Sequence, residues 1–254
     1  MSSVFFKKIS PIIATFLIIV YLSFTFTGCP SKPAEEVIEK ATEEAVIKEE
    51  KEPTIEEDID KNLEEFFNIY DSYVETSDKE LILNLQSDEV YYEIIHFIGE
   101  LIDAVSEKSK TTEFSTDYLL LFGEERTIIE KINEIVKQQD SIISELQERA
   151  IKITDSIKKT LAKEIVDNLI KQNSLKKEKL DLYDNLTKCI FYEALVIKSH
   201  VEGKASTLEM NIVLNKFNPP IEVFGKKLIE VKEELDVLQN EISDLKAKLD
   251  SLGP

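Results

Sequence analysis

Two groups of side chains have the types and spacing that could do chemistry. Glu93-Ile94-Ile95-His96 carries the Glu-x-x-His spacing with which bundle proteins present a carboxylate and an imidazole to paired iron ions. Such a centre needs the motif on two facing helices, and this chain has it once. At about 100° per residue, Tyr91, Ile94, Ile95, Ile98, Leu101, Ile102 and Val105 make the apolar face of that stretch, and Glu93 and His96 fall opposite, beside Glu100 and Asp103. His96 therefore reads as a solvated surface residue whose neighbouring carboxylates support its charged form. Cys189, Glu193 and His200 are placed differently, on one face with Leu182, Leu186, Ile190, Val196 and Ile197. A carboxylate buried among apolar residues is costly unless it is paired. One reading is a buried site for a metal or small ligand, completed by neighbouring helices. The other is a packed thiol, a glutamate reaching the rim and a histidine bonded to a facing polar group. The rise from Glu193 to His200 is roughly 10 Å along a helix, too far for both to hold one ion without strain, which favours packing. No cofactor and no metal is predicted.

Other catalytic signatures are missing from the chain. There is no glycine-rich phosphate loop, no G-x-S-x-G and no tryptophan, and six glycines in 254 residues leave little chain for the tight loops that usually carry catalysis. Tyr91, Tyr92, Phe66 and Phe67 recur at helical spacing and read as core. The sequence thus points to a non-enzymatic protein.

The elements that must position these residues are helices. From Thr54 to Asn218 there is no proline, and the glycines are Gly99, Gly123 and Gly203. Apolar residues recur three and four apart throughout, so an all-α fold is expected: an antiparallel helical bundle over 55–218. A first helix spans Ile55 to Tyr73. Ser77-Asp78-Lys79-Glu80 has capping-box form and predicts a second start, running to Glu107. Lys108 to Thr116 reads as a loop. After Gly123, Ile128, Ile132, Ile135, Ile142, Leu146, Ile153, Ile157 and Leu161 give either one helix to Lys171 or two with a break near Gln138–Ser141. Ser174 opens the next helix, which ends near Gly203, and Ser206-Thr207-Leu208-Glu209 caps a short one to Phe217.

Asn218-Pro219-Pro220 reads as the clearest break, because proline cannot donate inside a helix. Beyond it, over 219–254, Ile221, Phe224, Leu228, Val231, Leu235, Leu238, Ile242, Leu245, Leu249 and Leu252 fill every a and d position of a coiled-coil helix. This seam either pairs with another chain, through self-association or a protein partner, or folds back onto the bundle.

The beginning of the chain gives an address. Lys7 and Lys8 precede Ile9 to Phe26, an almost wholly apolar run, and no acidic residue occurs before Glu35. The run ends in Phe26-Thr27-Gly28-Cys29, with small residues ahead of a cysteine. This resembles the lipobox of bacterial lipoproteins, with Phe26 where leucine is commoner. The resemblance covers the export segment alone. It implies that 1–28 is a signal peptide recognised through Phe26, Thr27 and Gly28, that Cys29 receives a lipid, and that a tether over 29–54 leads to the bundle. The expected location is extracytoplasmic, lipid-anchored in the cell membrane or outer membrane, with the lipid on Cys29 as the membrane partner.

Residues 30–54 are rich in Glu, Lys and Ala and read as a charged spacer. The chain holds 31 basic and 50 acidic residues; removing Lys7 and Lys8 with the leader leaves 29 against 50, near −21. Such a surface repels nucleic acid, so no nucleic-acid partner is expected. With Cys29 lipidated, Cys189 has no partner for a disulfide, so the fold rests on apolar burial.

Overall fold

The computed structural model describes residues 60–107 and 118–253. The lipobox, the tether and the loop predicted over 108–116 lie outside the described residues. Four long helices make up the fold: α1 (Lys61–Glu107), α2 (Tyr118–Lys152), α3 (Ser156–Val201) and α4 (Thr207–Ser251). They pack as an all-α antiparallel bundle, as the sequence predicts. Short turns at 153–155 and 202–206 join α2 to α3 and α3 to α4. Among the described residues no helix is long and apolar enough to cross a membrane.

The helix ends are set by local chemistry. Asp155 caps α3, its carboxylate accepting from the amides of Ile157 and Lys158 at 2.8 Å each. At the start of α1, Asp60 accepts from the Asn62 amide at 3.0 Å through one oxygen. Its other oxygen accepts from the Thr154 amide at 2.7 Å and the Thr154 hydroxyl at 2.8 Å, tying α1 to the α2–α3 turn. Gly203 takes φ +73 after the last turn of α3, a conformation open to glycine, and Ser206 and Glu209 form the predicted capping box of α4.

Helix boundaries expected from sequence are corrected at four places. No helix starts at Ser77: α1 is continuous, and Ser77 and Glu80 face another helix. Their spacing of three residues is that of a capping box and also that of two neighbours on one helix face. The chain turns at 153–155, not near Gln138–Ser141 or at Ser174. Asp155 resets the phase there, so Ile157, expected on the apolar stripe, is 63% exposed. At Asn218-Pro219-Pro220 the helix does not break, and α4 runs through both prolines. The carbonyl of Lys216, which an amide at position 220 would have met, belongs to an exposed residue where water can serve it.

The core is divided. One cluster, centred on Ile94, Val136, Leu186, Ile190, Met210 and Ile221, fills the half of the bundle containing the α3–α4 turn. The other, with Leu63, Phe66, Leu146, Ile153, Leu169 and Ile242, fills the half containing the α2–α3 turn. Between them lies a polar layer. Lys176 reaches Glu80 Oε2 at 2.7 Å and Gln139 Oε1 at 3.1 Å, and the Gln139 amide donates to Glu80 Oε2 at 3.0 Å. The Tyr73 hydroxyl donates to Gln172 Oε1 at 2.8 Å, and Gln172 donates to Gln239 of α4 at 2.8 Å. Asn173 donates to the Val136 carbonyl at 3.1 Å and to Asp140 at 2.6 Å. All four helices contribute.

The C-terminal seam is used within the chain. Ile221, Leu228, Val231, Ile242 and Leu249 are buried, Phe224, Leu235, Leu238 and Leu245 are half-buried, and Leu252 is 45% exposed. The seam packs chiefly along α3.

The polar layer makes a sharp energetic demand. The Lys176 and Glu80 side chains are 12% and 11% exposed, so Lys176→Met strands a carboxylate in the interior. We expect a loss of about 3–5 kcal/mol in urea unfolding, and the Glu80→Met/Lys176→Met double variant should regain part of it, since neither charge is then left alone. A double-variant loss equal to the sum of the Glu80→Met and Lys176→Met losses would show that the pair is not coupled.

Candidate functional site: buried carboxylates and a four-helix cavity

The two groups singled out from sequence meet different fates. Glu93 is exposed, and His96 is a surface residue 3.7 Å from Glu100 on the next turn. Cys189 and Glu193 are buried together on α3, and the charge of Glu193 is felt at the thiol. His200 is not gathered with them. Its Nδ1 lies 2.9 Å from the Ala205 carbonyl, to which it donates, so His200 ties the end of α3 to the turn before α4. Among the described residues no three His, Cys, Asp or Glu side chains converge as metal ligands would.

Glu193 has no partner for its Oε1, and burial pushes its pKa up to about 8. Burial first, and then Glu193, also raises the Cys189 thiol. At neutral pH the pair is a thiol beside a neutral acid. Neither is in the anionic form a metal prefers.

A second buried carboxylate was missed by the sequence reading. Glu125 of α2 is fully buried. Its Oε1 accepts from the Ser87 hydroxyl at 2.6 Å, while Oε2 has no hydrogen-bond partner. Burial, reinforced by the charges of Asp88 and Glu124, pushes Glu125 up to about 7 against the lowering effect of the Ser87 bond. Close by, the rings of Tyr91 and Tyr183 lie 5.2 Å apart at 41°. Burial, and then Tyr91, Glu125 and Asp88, raise the Tyr183 phenol well above its ordinary range.

Ser87 also borders a cavity of about 110 Å³ that every helix lines. α1 contributes Asn84, Ser87 and Asp88; α2, Ile129 and Ile132; α3, Lys179, Leu180 and Tyr183; α4, Leu228, Ile229 and Lys232. The space exists because α1 and α4 meet only through side chains, with no close approach of their backbones. Burial and then Lys179 push Lys232 down, while burial raises Asp88 although both lysines pull it back. The arrangement suits an apolar body with a charged end.

A signal for Glu125 was present. Phe122, Glu125, Ile129, Ile132, Val136, Gln139, Ile143 and Leu146 step by three and four along α2, and the two polar members of that stripe are the two that enter buried polar contacts.

Set against models of protein families, curated proteins and solved structures, the chain matches none of them.

The two buried acids give a pH signature. Each binds its proton more tightly folded than unfolded, so their contribution is fully present below about 4.5 and is lost as pH rises through about 7 for Glu125 and about 8 for Glu193. Urea unfolding between pH 4.5 and 8 should show stability falling with pH, and Glu125→Gln/Glu193→Gln should flatten that slope. A slope unchanged in the double variant would show that these acids do not titrate as described.

Proposed function

We propose that this chain is a lipid-anchored extracytoplasmic protein that holds a helical bundle away from a cell membrane or outer membrane as a spacer and protein-binding module, without enzymatic activity of its own. The anchor would be Cys29, acylated (with palmitate among the chains added) after recognition of Phe26, Thr27 and Gly28. Residues 29–54 would lift the bundle off the bilayer. Length supports the spacer role, since a helix of 47 residues extends about 70 Å at ~1.5 Å per residue.

The observation that carries the binding role is a groove left between α3 and α4 in the middle of the seam. Leu175, Val237 and Leu238 floor it, and Glu230, Glu233, Glu234 and Glu241 rim it, with Lys171 the basic residue among them. Val237 is 57% exposed although it stands beside the seam. A basic amphipathic helix has the complementary shape and charge, with apolar anchors on the floor and lysines or arginines along the rim.

Two experiments test the two halves of this proposal. Cys29→Ser should abolish incorporation of radiolabelled palmitate in the bacterial host; undiminished labelling would remove the anchor. Leu238→Asp in the otherwise intact chain should leave far-ultraviolet helicity nearly unchanged, because Leu238 is only half-buried, while binding of a basic amphipathic helical peptide falls at least tenfold. Equal binding to both proteins would place any docking surface elsewhere.

A further inference from the structure

The groove at Leu238 continues toward the α2–α3 turn. Lys171 of α3 and Glu241 of α4 line it, and the same two residues line a second hollow beyond it. There Glu164, Asp167 and Asn168 of α3 face Asp244, Leu245 and Lys248 of α4. At the join the Asn168 side-chain amide donates to Glu241 Oε2 at 3.4 Å, a long bond open to solvent.

The two hollows are built alike. Leu238 is half-buried in the floor of the first, and Leu245, half-buried over the second core cluster, is the apolar residue of the other. Glu164, Asp167 and Asp244 add their carboxylates to the four glutamates of the first hollow, against Lys171 and Lys248. The ion pairs along this part of the bundle sit elsewhere, at Lys188–Asp184, Lys226–Glu222 and Lys246–Asp250, and among the described residues none neutralises this rim. From Glu230 to Lys248 the combined lining extends about 27 Å along α4, and Leu238 and Leu245 stand two turns apart, about 10.5 Å.

Charge decides what can lie there. Residues 30–54 of this chain carry eight glutamates and four lysines, so that segment is repelled by the rim. A second copy would bring the same acidic rim against itself. A basic helix from another protein meets complementary charge along the whole length.

We infer that the two hollows form one docking site, and that its occupant is a basic amphipathic helix of another protein, about five turns long, with two large apolar side chains seven residues apart. One seats over Leu238 and the other over Leu245, while lysines or arginines lie along the rim. This rests on the reading of the Leu238 groove as a helix-binding site, and it adds the partner's length and the spacing of its anchors.

The test uses the full-length chain in phosphatidylcholine nanodiscs, with empty nanodiscs as the reference, and fluorescent helical peptides of alanine and lysine carrying leucine anchors. One peptide has a single leucine, a second has two leucines seven residues apart, and a third has two leucines eleven residues apart. The last pair shares a helix face but stands a turn too far apart for both hollows. Burial of the second leucine at the seven-residue spacing should tighten binding about tenfold over the single-anchor peptide, and the eleven-residue spacing should add nothing. Glu164→Lys/Asp244→Lys, at two exposed positions, sets two lysines over the second hollow and should erase the tenfold preference, with helicity matched to the parent. The inference is overturned, and the groove kept, if the single-anchor peptide binds and loses affinity in Leu238→Asp while the seven-residue pair binds no tighter. It is also overturned if the eleven-residue pair tightens equally, or if the preference survives in the double lysine variant. No binding of any peptide to the parent would remove the groove reading and this inference together.

Discussion

A lysine and a glutamate, Lys176 and Glu80, meet at 2.7 Å near mid-length of the bundle, with about a tenth of each side chain open to water. Taking two charges out of water is costly, and the cost is offset only when geometry and extra hydrogen bonds are supplied together. Gln139 supplies them from α2, donating to Glu80 and accepting from Lys176. Tyr73, Gln172 and Gln239 continue the network to α4. A buried polar layer of this kind acts on register. Heptad helices offer many nearly equivalent ways to slide past one another, and each slide by a turn or a heptad would press Lys176 or Glu80 against isoleucines and leucines. One alignment brings Lys176, Glu80 and Gln139 within hydrogen-bonding distance of one another.

The rest of the molecule follows from that alignment. With α3 fixed against α1 and α2, Ser87 comes opposite Glu125, and Leu228 and Lys232 of α4 come to the same level. The C-terminal seam is drawn onto α3, so its heptads satisfy this bundle first. The α1–α4 side is closed by long side chains, with Lys246 of α4 lying 4.4 Å above the Phe67 ring and 5.5 Å from that of Tyr70. At the level of Lys232 that closure is incomplete, and the cavity is the result.

The fold class, the bundle and the C-terminal seam were legible in the sequence because apolar periodicity reports burial directly. Helix boundaries were less so. Ser77 to Glu80 satisfied the pattern of a cap, and only the partner residues Gln139 and Lys176, 59 or more positions away, decide that those side chains serve a neighbour instead. Pro219 and Pro220 read as a stop, but tertiary packing on α3 carries the helix through them. His200 was legible as a histidine with a facing polar group, while its partner proved to be local, at Ala205. Glu125 could have been found by asking which members of the three–four stripe are polar. The cavity could not, since it depends on residues from four helices meeting at one level.

The central claim is that the C-terminal heptads are satisfied inside a single chain. Pulsed electron–electron resonance tests it most directly. Spin labels go on Glu164→Cys and Lys248→Cys, which face one groove between α3 and α4, in residues 30–254 carrying Cys189→Ala. We expect one short, narrow distance that persists when the labelled chain is diluted into a large excess of unlabelled chain before refolding. Loss of that distance on dilution would mean that the seam pairs between chains, and would contradict the account.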